Sequence, residues 1–553
     1  MQRISSGLMS PPHPKTGLPA RLATLALGLL LNTPLLALQP SPKTGASVPD
    51  STLPAAVAEL LQRAKVPADA LAAIVMPVTA GAARWQVQAD RAMQPASTMK
   101  LVTSIVALDR LGPNHRGFTE LLTQAPQQGD VLAGDLVLRG GADPELGLPQ
   151  LWGLLAELRW QGIREIAGDI VLDRSLFRAA PGFNAPAFDA WPEFAYNGVP
   201  DALQLNHNLM GLEITSEDPT RPGSVVARAL PPLPGVEIDA SAMRLTDRPC
   251  REWDEDWISP PMLVEPATGQ LRISLRGGFP KACSQRSALA LIDRQALAER
   301  HLRWVWQGMG GEWQGRLREA GAPLIGPLGA AAQAAPSTMP DAPPANWLAP
   351  GVALAGTPGV TPPGLRVLAR RLARPWGETL RMMNKHSDNA NSRLLYLSLG
   401  LGAMADQPAV STAELAGRAV QAWMAERRIS SAGLVMDNGS GLSRSERISP
   451  RQLALMLQAA HGGRWASELM MSLPVAGVDG SMRKRLKASP AAGWARLKGG
   501  TLKNVTALAG YVPDGQGRWW VLAAMINHDQ AAAARPALDA LVDWVARGGL
   551  GQK

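Results

Sequence analysis

The 553-residue chain has only two cysteines, Cys250 and Cys283, and its seven histidines are isolated from one another. Neither cysteine has a Cys or His partner at a zinc-ligand spacing, and no His-Glu-x-x-His segment occurs, which argues against a zinc hydrolase. The nucleophile turn of α/β-hydrolases, Gly-x-Ser-x-Gly, is absent as well. The formal charge is +9, but lysine and arginine are scattered and form no basic tract. We therefore expect no zinc site and no nucleic-acid partner.

Acidic residues are missing from the first 21 positions, which contain Arg3, Lys15 and Arg21. An apolar run follows over 22–38, broken by Pro34, and is short for a membrane-spanning helix. This pattern predicts a secretory signal peptide over 1–38 and a Pro/Ser/Gly linker over 39–49. We expect export to the periplasm, although a retained N-terminal anchor stays open. In an exported chain, Cys250 and Cys283 are expected to form a disulfide.

Two kinds of sequence pattern alternate along the rest of the chain. The beginning and the end predict one domain of strands and helices, over 50–114 and 364–550, and 115–363 predicts an inserted block. Helices are predicted at 53–65, 151–160, 288–308, 365–373, 378–383, 391–399, 412–427, 450–460 and 536–547. Strands are predicted at 71–78, 83–88, 136–138, 170–172, 507–512 and 519–526, with another beginning at 497. The block contains a βαβ unit and ends in an Ala/Pro-rich loop, 320–363. The fold class is therefore α+β and multidomain, with an α/β insertion.

The most informative segment is Pro-Ala-Ser-Thr-Met-Lys-Leu, which contains Ser97 and Lys100 at the start of a helical pattern. Residues three apart on a helix face the same side, so the lysine amine can reach the serine hydroxyl. A serine needs a neighbouring base to become a nucleophile, and a lysine can act as that base only when its pKa is lowered. Ser-x-x-Lys alone is a weak signal, since Ser481 and Lys484 match it too.

Two later segments carry groups that complement such a pair. Ser387 and Asn389 supply a hydroxyl and an amide on a turn before a helix, where they could also be simple helix caps. Lys498 precedes Gly499 and Gly500 in an apolar strand, where glycines allow the close approach of a ligand or backbone. Its charge would also lower the pKa of a nearby lysine.

In this order, the three segments resemble the Ser-x-x-Lys, Ser-x-Asn and Lys-Thr-Gly motifs of penicillin-binding proteins and serine β-lactamases. The 286 residues between Lys100 and Ser387 resemble the insertion of class C low-molecular-mass penicillin-binding proteins, which are D-alanyl-D-alanine carboxypeptidases and endopeptidases. Further similar stretches include 134–138, 141–144, 168–173, 437–444, 473–480 and 500–512. The third motif departs from the family pattern, because Gly499 stands where threonine is usual.

The resemblance implies a transpeptidase-like domain, an antiparallel sheet flanked by helices, with an insertion between its first two motifs. It also implies that Ser97 attacks D-alanyl peptide bonds of peptidoglycan, that this reaction needs no metal and no organic cofactor, and that β-lactams inhibit the enzyme by acylating Ser97. Lys100 would be the base, and Ser387 would bridge Lys100 and the leaving nitrogen. Asn389 would orient the substrate amide and Lys100.

The third motif would bind the substrate. The resemblance implies an oxyanion hole from the N–H groups of Ser97 and Thr501, and a carboxylate site from Lys498 and Thr501, beside Gly499 and Gly500. Without the hydroxyl at 499, we expect slow acylation by penicillins and a preference for cross-links over free pentapeptide ends. A β-lactamase or esterase on the same fold, and a wall-binding protein with a decayed site, remain alternatives. Loose association with the membrane or wall is a further expectation.

Overall fold

A computed structural model describes residues 51–179, 188–218, 221–258, 262–264, 270–321 and 364–551. The predicted signal peptide and linker, 1–49, lie outside the described residues, as does all but the first part of the Ala/Pro-rich loop. In the part of the chain that is described, no helix combines the length and apolar character needed to cross a membrane.

The described residues form ten α-helices and twenty strands, joined by loops and short 3₁₀ turns. The helices are α1 Ala55–Arg63, α2 Met99–Arg110, α3 Leu148–Trp160, α4 Arg294–Gly308, α5 Trp376–His386, α6 Asn389–Ser398, α7 Thr412–Glu426, α8 Pro450–His461, α9 Ala466–Ser472 and α10 Arg535–Ala546. The first ten strands are β1 Leu71–Pro77, β2 Trp85–Val87, β3 Phe118–Thr123, β4 Gln127–Gln128, β5 Val131–Leu132, β6 Leu136–Gly141, β7 Glu165–Ile166, β8 Ile170–Asp173, β9 Met210–Thr215 and β10 Val226–Ala229. The others are β11 Val236–Thr246, β12 Met262–Val264, β13 Leu271–Pro280, β14 Ser284–Leu289, β15 Glu312–Trp313, β16 Leu317–Glu319, β17 Arg366–Leu372, β18 Arg496–Leu502, β19 Val505–Pro513 and β20 Trp519–Asn527.

The central sheet combines strands from both ends of the sequence. Its order is β18-β19-β20-β1-β2, and every neighbouring pair is antiparallel. The predicted hairpin of β1 and β2 is confirmed, with Ala73 opposite Val87. Because β18 is an edge strand, one side of the third motif is open to a ligand.

Both faces of this sheet are covered, which explains the almost continuous apolar sequence of β1. Ile74 and Met76 pack in a core formed with α2 and α5–α9, whereas Ala73 and Val75 pack against α1 and α10 on the opposite face. Successive strand residues point to opposite faces, so a single strand contributes to both cores. The predicted antiparallel sheet flanked by helices is thus confirmed.

Residues of the predicted inserted block form most of four further sheets, and β17, which follows the block in sequence, completes the largest. The largest has the order β16-β8-β6-β3-β17 and contains the predicted βαβ unit, in which β6 and β8 are parallel and α3 lies between them in sequence. The others have the orders β15-β7-β5-β4, β10-β9-β14 and β11-β13-β12. Cys250 and Cys283 form a disulfide in this block, with an S–S distance of 2.10 Å.

One predicted helix is wrong. Residues 365–373 form strand β17, which pairs with β3 and so adds a strand to the inserted block's largest sheet. Arg370 Nε donates to the buried carboxylate of Glu120 on β3 at 2.5 Å, and Arg371 Nε donates to Asp143 at 3.0 Å. The Leu/Ala/Arg composition favours a helix locally, but these cross-strand ion pairs and the sheet hydrogen bonds favour the strand.

Candidate active site

Ser97 lies in a short 3₁₀ turn, Ala96–Thr98, immediately before α2. Ala96 has a positive φ of 45°, which turns the chain sharply and leaves Ser97 half-buried at the helix N-terminus. The hydroxyl of Thr98 donates to the carbonyl of Pro95 at 2.7 Å and so fixes the turn. A helix N-terminus stabilises negative charge, which suits a serine oxygen that must lose its proton.

The Lys100 side chain is fully buried on α2, and its amine has three partners. Nζ lies 3.2 Å from Ser97 Oγ and donates at 2.6 Å to both Asn389 Oδ1 and the Ser440 carbonyl. The oxygens of Asn389 and Ser440 can only accept hydrogen bonds. A neutral amine has two N–H bonds and one lone pair, so donation to the two acceptors leaves the lone pair directed toward Ser97.

Burial and a nearby like charge favour this neutral form. Burial lowers the pKa of Lys100 well below its usual value, and the charge of Lys498 lowers that pKa further. Burial also lowers the pKa of Lys498, to about 7. Asp388 and Glu446 raise the pKa of Lys100, but their effects are smaller than that of burial. Lys100 thus has the electrostatic environment of a base.

The second motif lies at the junction of two helices. Ser387 ends α5 in the left-handed conformation, with φ 62°, and Asp388 accepts the N–H of Asn391 at 3.0 Å as the cap of α6. The cap is therefore Asp388, so neither the Ser387 hydroxyl nor the Asn389 amide is needed for that role. Asn389 Nδ2 donates to the Tyr196 carbonyl at 3.1 Å, which orients its oxygen toward Lys100.

Lys498 links the third motif to the second. Its side chain is fully buried, and Nζ donates to Ser387 Oγ and to the Gly499 carbonyl, both at 2.9 Å. Within the described part of the chain, Ser387 makes no hydrogen bond with Lys100. The hydroxyl of Ser387 instead contacts Lys498, and Asn389 is the side chain of the second motif that contacts Lys100.

Gly500 brings strand β18 against the serine turn. A Cβ at Gly500 would lie 2.9 Å from the Ser97 nitrogen and 2.8 Å from the Pro95 carbonyl oxygen, so a side chain would separate the two segments. Thr501, the next residue, is exposed at this edge. The third motif therefore lies beside the nucleophile, as the family resemblance implied.

A loop that the motif analysis did not assign to the site completes the surroundings of Lys100. The carboxylate of Glu446 is fully buried and accepts the backbone N–H groups of Gly439 and Gly441 at 2.7 and 2.9 Å. Between them lies Ser440, whose carbonyl binds Lys100. Gly441 has φ 83°, and a Cβ there would be 1.9 Å from the Ala96 carbonyl oxygen. Gly441 lies in the stretch 437–444, whose similarity to the family was the feature of the sequence that could have placed this loop at the site.

Two other possible sites, the second Ser-x-x-Lys match and a metal site, find no support in the described residues. Ser481 and Lys484 are both exposed, so the second Ser-x-x-Lys match lacks the burial that lowers a lysine pKa. Among the residues that the structure describes, no group of three or more His, Cys, Asp and Glu side chains is placed to hold a metal ion.

Comparison with known proteins places these observations in a family. The model of the D-Ala-D-Ala carboxypeptidase 3 (S13) family matches residues 53–338 and 347–548. The chain is 26% identical over 458 residues to the D-alanyl-D-alanine carboxypeptidase of Actinomadura sp. strain R39, covering 80% of this chain and 75% of the relative. It is 24% identical over 440 residues to DacB of Haemophilus influenzae, covering 79% and 80%.

Solved structures agree in fold. Penicillin-binding protein 4 of Haemophilus influenzae aligns with a TM-score of 0.66 at 22% identity, covering 88% of this chain and 99% of that one. A second structure of that protein, complexed with a novel β-lactam, aligns with a TM-score of 0.64. With its family match, its insertion and its three converging motifs, this chain belongs to the D-Ala-D-Ala carboxypeptidase 3 (S13) family of serine-type peptidases.

Proposed function

We propose that this enzyme hydrolyses D-alanyl-D-alanine and D-alanyl-diaminopimelyl bonds of peptidoglycan through an acyl-enzyme on Ser97. The observation that carries the proposal is the buried amine of Lys100, which lies 3.2 Å from Ser97 Oγ and donates hydrogen bonds at 2.6 Å to Asn389 Oδ1 and to the Ser440 carbonyl. A base within hydrogen-bond reach contributes about 10²–10⁴-fold to such a reaction.

In the acylation step, Lys100 takes the proton of Ser97 as Oγ attacks the carbonyl carbon of the D-alanyl bond. The negative charge on the carbonyl oxygen is stabilised by the N–H groups of Ser97 and Thr501, each worth roughly 2.7–4 kcal/mol in comparable sites. As the bond breaks, Ser387 gives a proton to the leaving nitrogen, and Lys498, which donates to Ser387, replaces it. Water then attacks the ester carbonyl and gives a proton through Ser387 to the neutral Lys498, while Lys100 returns its proton to Oγ of Ser97 as the acyl group leaves.

Substrate binding falls to the second and third motifs. Asn389 orients the substrate amide as well as Lys100, and Lys498 and Thr501 bind the carboxylate next to the scissile bond. A β-lactam is attacked in the same way and leaves Ser97 acylated. A relative crystallised with a β-lactam supports this choice of inhibitor.

We further propose that the enzyme is exported to the periplasm, where peptidoglycan lies, by the signal peptide predicted over 1–38. A retained N-terminal segment would explain loose association with the membrane or the wall. Separating the cell envelope from the cytoplasm and locating the enzyme in each fraction would test this placement.

The central experiment is acylation by a labelled penicillin, followed by peptide mapping. We expect one added penicillin mass, on the peptide that contains Ser97, and none in a Ser97→Ala variant. An adduct that persists in that variant, for example on Ser481, would contradict the assignment. Hydrolysis of a D-alanyl-D-alanine peptide, with a long-lived penicillin adduct, distinguishes a peptidase from a β-lactamase that turns penicillin over rapidly.

A further inference from the structure

The glycine that departs from the family pattern faces an arginine. A Cβ on Gly499 would lie 3.3 Å from Nη1 of Arg485, and among the described residues, apart from the neighbours Lys498 and Gly500, no other heavy atom lies within 4 Å of that position. In the family pattern, the residue here carries a threonine hydroxyl on that Cβ. A guanidinium nitrogen therefore lies beside the place of the missing hydroxyl.

The position of this guanidinium is fixed from the opposite side. Asp539 on α10 accepts from Arg485 Nη2 at 2.6 Å and from Nε at 3.1 Å. The arginine side chain is 17% exposed, and it donates from Nη1 to no acceptor among the described residues. A guanidinium can serve two carboxylates because its five N–H groups point in different directions. Asp539 binds the edge of the guanidinium formed by Nε and Nη2, and Nη1 remains for a ligand.

The charge of Arg485 also matters at this position. Lys498 is fully buried with a pKa lowered to about 7, so at neutral pH it carries only a fraction of a positive charge. An arginine stays protonated throughout the range in which enzymes work, and its planar fork matches a carboxylate. Arg485 therefore places a lasting positive charge next to the third motif.

We propose that Arg485 binds the carboxylate adjacent to the scissile bond, through Nη1, in place of the hydroxyl that Gly499 lacks. The ligands are peptides with a free carboxylate on the leaving residue, and β-lactams through their own carboxylate. This inference rests on the proposed function. It also replaces the expectation, based on Gly499 alone, that carboxylate recognition is weak.

The first test compares Arg485→Ala with Lys484→Ala, which removes the same charge from the exposed neighbouring residue. Both variants are treated with a penicillin carrying its free carboxylate and with the methyl ester of that penicillin. We expect Arg485→Ala to slow acylation by the free acid about ten- to a hundred-fold and to leave the ester rate unchanged. Lys484→Ala should match the parent enzyme with both compounds.

A second variant tests the idea without depending on the ester. A threonine at 499 would place its Cβ against Nη1 in the parent enzyme, but it has room once Arg485 is shortened. We expect Gly499→Thr to accelerate acylation of Arg485→Ala by at least about five-fold, and to give the parent enzyme a smaller gain or a loss.

The outcomes separate the two proposals. Unaltered acylation of Arg485→Ala by the free acid, or equal losses with acid and ester together with no rescue by Gly499→Thr, would overturn the role of Arg485. A parent enzyme that no penicillin acylates would instead refute the function itself. Thermal unfolding of each variant identifies losses that come from the broken contact with Asp539.

Discussion

Glu446 fixes the position of Ser440 by binding the N–H groups on both sides of it, at Gly439 and Gly441. The carbonyl of Ser440 is in turn one of the two acceptors that orient the amine of Lys100. A buried carboxylate thus acts on the catalytic base through one turn of backbone. It also acts directly, since its charge raises the pKa of Lys100.

Replacing Glu446 with glutamine should weaken both stability and acylation. The amide keeps the side-chain shape but places an NH₂ group against backbone N–H donors. The substitution loses at least one of these hydrogen bonds, and a hydrogen bond to a charged group contributes roughly 1.5–3 kcal/mol, so the free energy of unfolding should fall by at least about that amount. Acylation by penicillin should slow about ten-fold, because the Ser440 carbonyl is no longer held. Denaturant titration and acylation rates measure the two effects.

The matched control is Asp437→Asn, which removes the same charge from the exposed start of the same loop. Surface substitutions of this kind usually change stability by less than about 0.5 kcal/mol. If Glu446→Gln proved as stable and as rapidly acylated as Asp437→Asn, Glu446 would have no part in positioning Lys100.

Lys100→Arg tests the neutral-amine mechanism directly. An arginine at this position stays positively charged at working pH, and because it cannot lose its proton it cannot act as a base. We expect acylation to fall about 10²–10⁴-fold, the usual contribution of a general base. Lys484→Arg, in the exposed second Ser-x-x-Lys segment, should leave the rate unchanged. Rapid acylation of Lys100→Arg would require a different base.

The disulfide offers a prediction on stability alone. Cys250 and Cys283 close a loop across 33 positions in the inserted block, and the chain-entropy model gives such a bond roughly 3–4 kcal/mol. Replacing both cysteines with serine should lower the free energy of unfolding of this block by about that amount. Penicillin should still acylate Ser97, because the disulfide lies outside the site. Two titratable thiols in the unfolded, unreduced enzyme would show that the bond does not form.

The pair of Ser97 and Lys100 at the centre of this site could be predicted because its motif is local. The separation of Ser97 and Lys100 follows from the helix period, and the resemblance of the three motifs to a known family predicts that they converge. Two antiparallel strands around a short turn, β1 and β2, follow from apolar patterns alone. The helix period and the hairpin depend on residues close together in sequence, whereas the convergence of the three motifs follows from the family resemblance alone.

The contacts that could not be predicted join distant segments. Glu446 is 346 positions from Lys100, and neither its burial nor its hydrogen bonds are visible in a single sequence. The helix predicted at 365–373 failed for the same reason, since Glu120 and the sheet edge of β3 decide the conformation of that segment. Arg485 faces Gly499 because Asp539, on the last helix, holds its guanidinium there.

Lys498 is expected to reduce the stability of the enzyme at neutral pH. Burial lowers its folded pKa to about 7, whereas an unfolded lysine titrates near 10.4. Between these values the unfolded chain binds more protons, so the free energy of unfolding rises with pH, by at most about 1.4 kcal/mol per pH unit from this group. Lys498→Met removes this contribution, and its stability should rise less steeply between pH 7.5 and 9.5. If the free energy of unfolding of Lys498→Met rose with pH as steeply as that of the parent enzyme, the prediction would be wrong. Lys484→Met, at an exposed lysine, is the control.

The same substitution should shift the pH dependence of acylation. Lys100 acts as a base only when neutral, so acylation increases as the pH rises through its pKa. Burial lowers that pKa most, but the charge of Lys498 lowers it further. Without Lys498 the repulsion is lost, the pKa of Lys100 rises, and the acidic limb of the rate profile should move to higher pH. The maximum rate should also fall, because Ser387 loses the donor at 2.9 Å that replaces its proton. A lower maximum with an unshifted acidic limb would mean that Lys498 assists Ser387 without influencing Lys100.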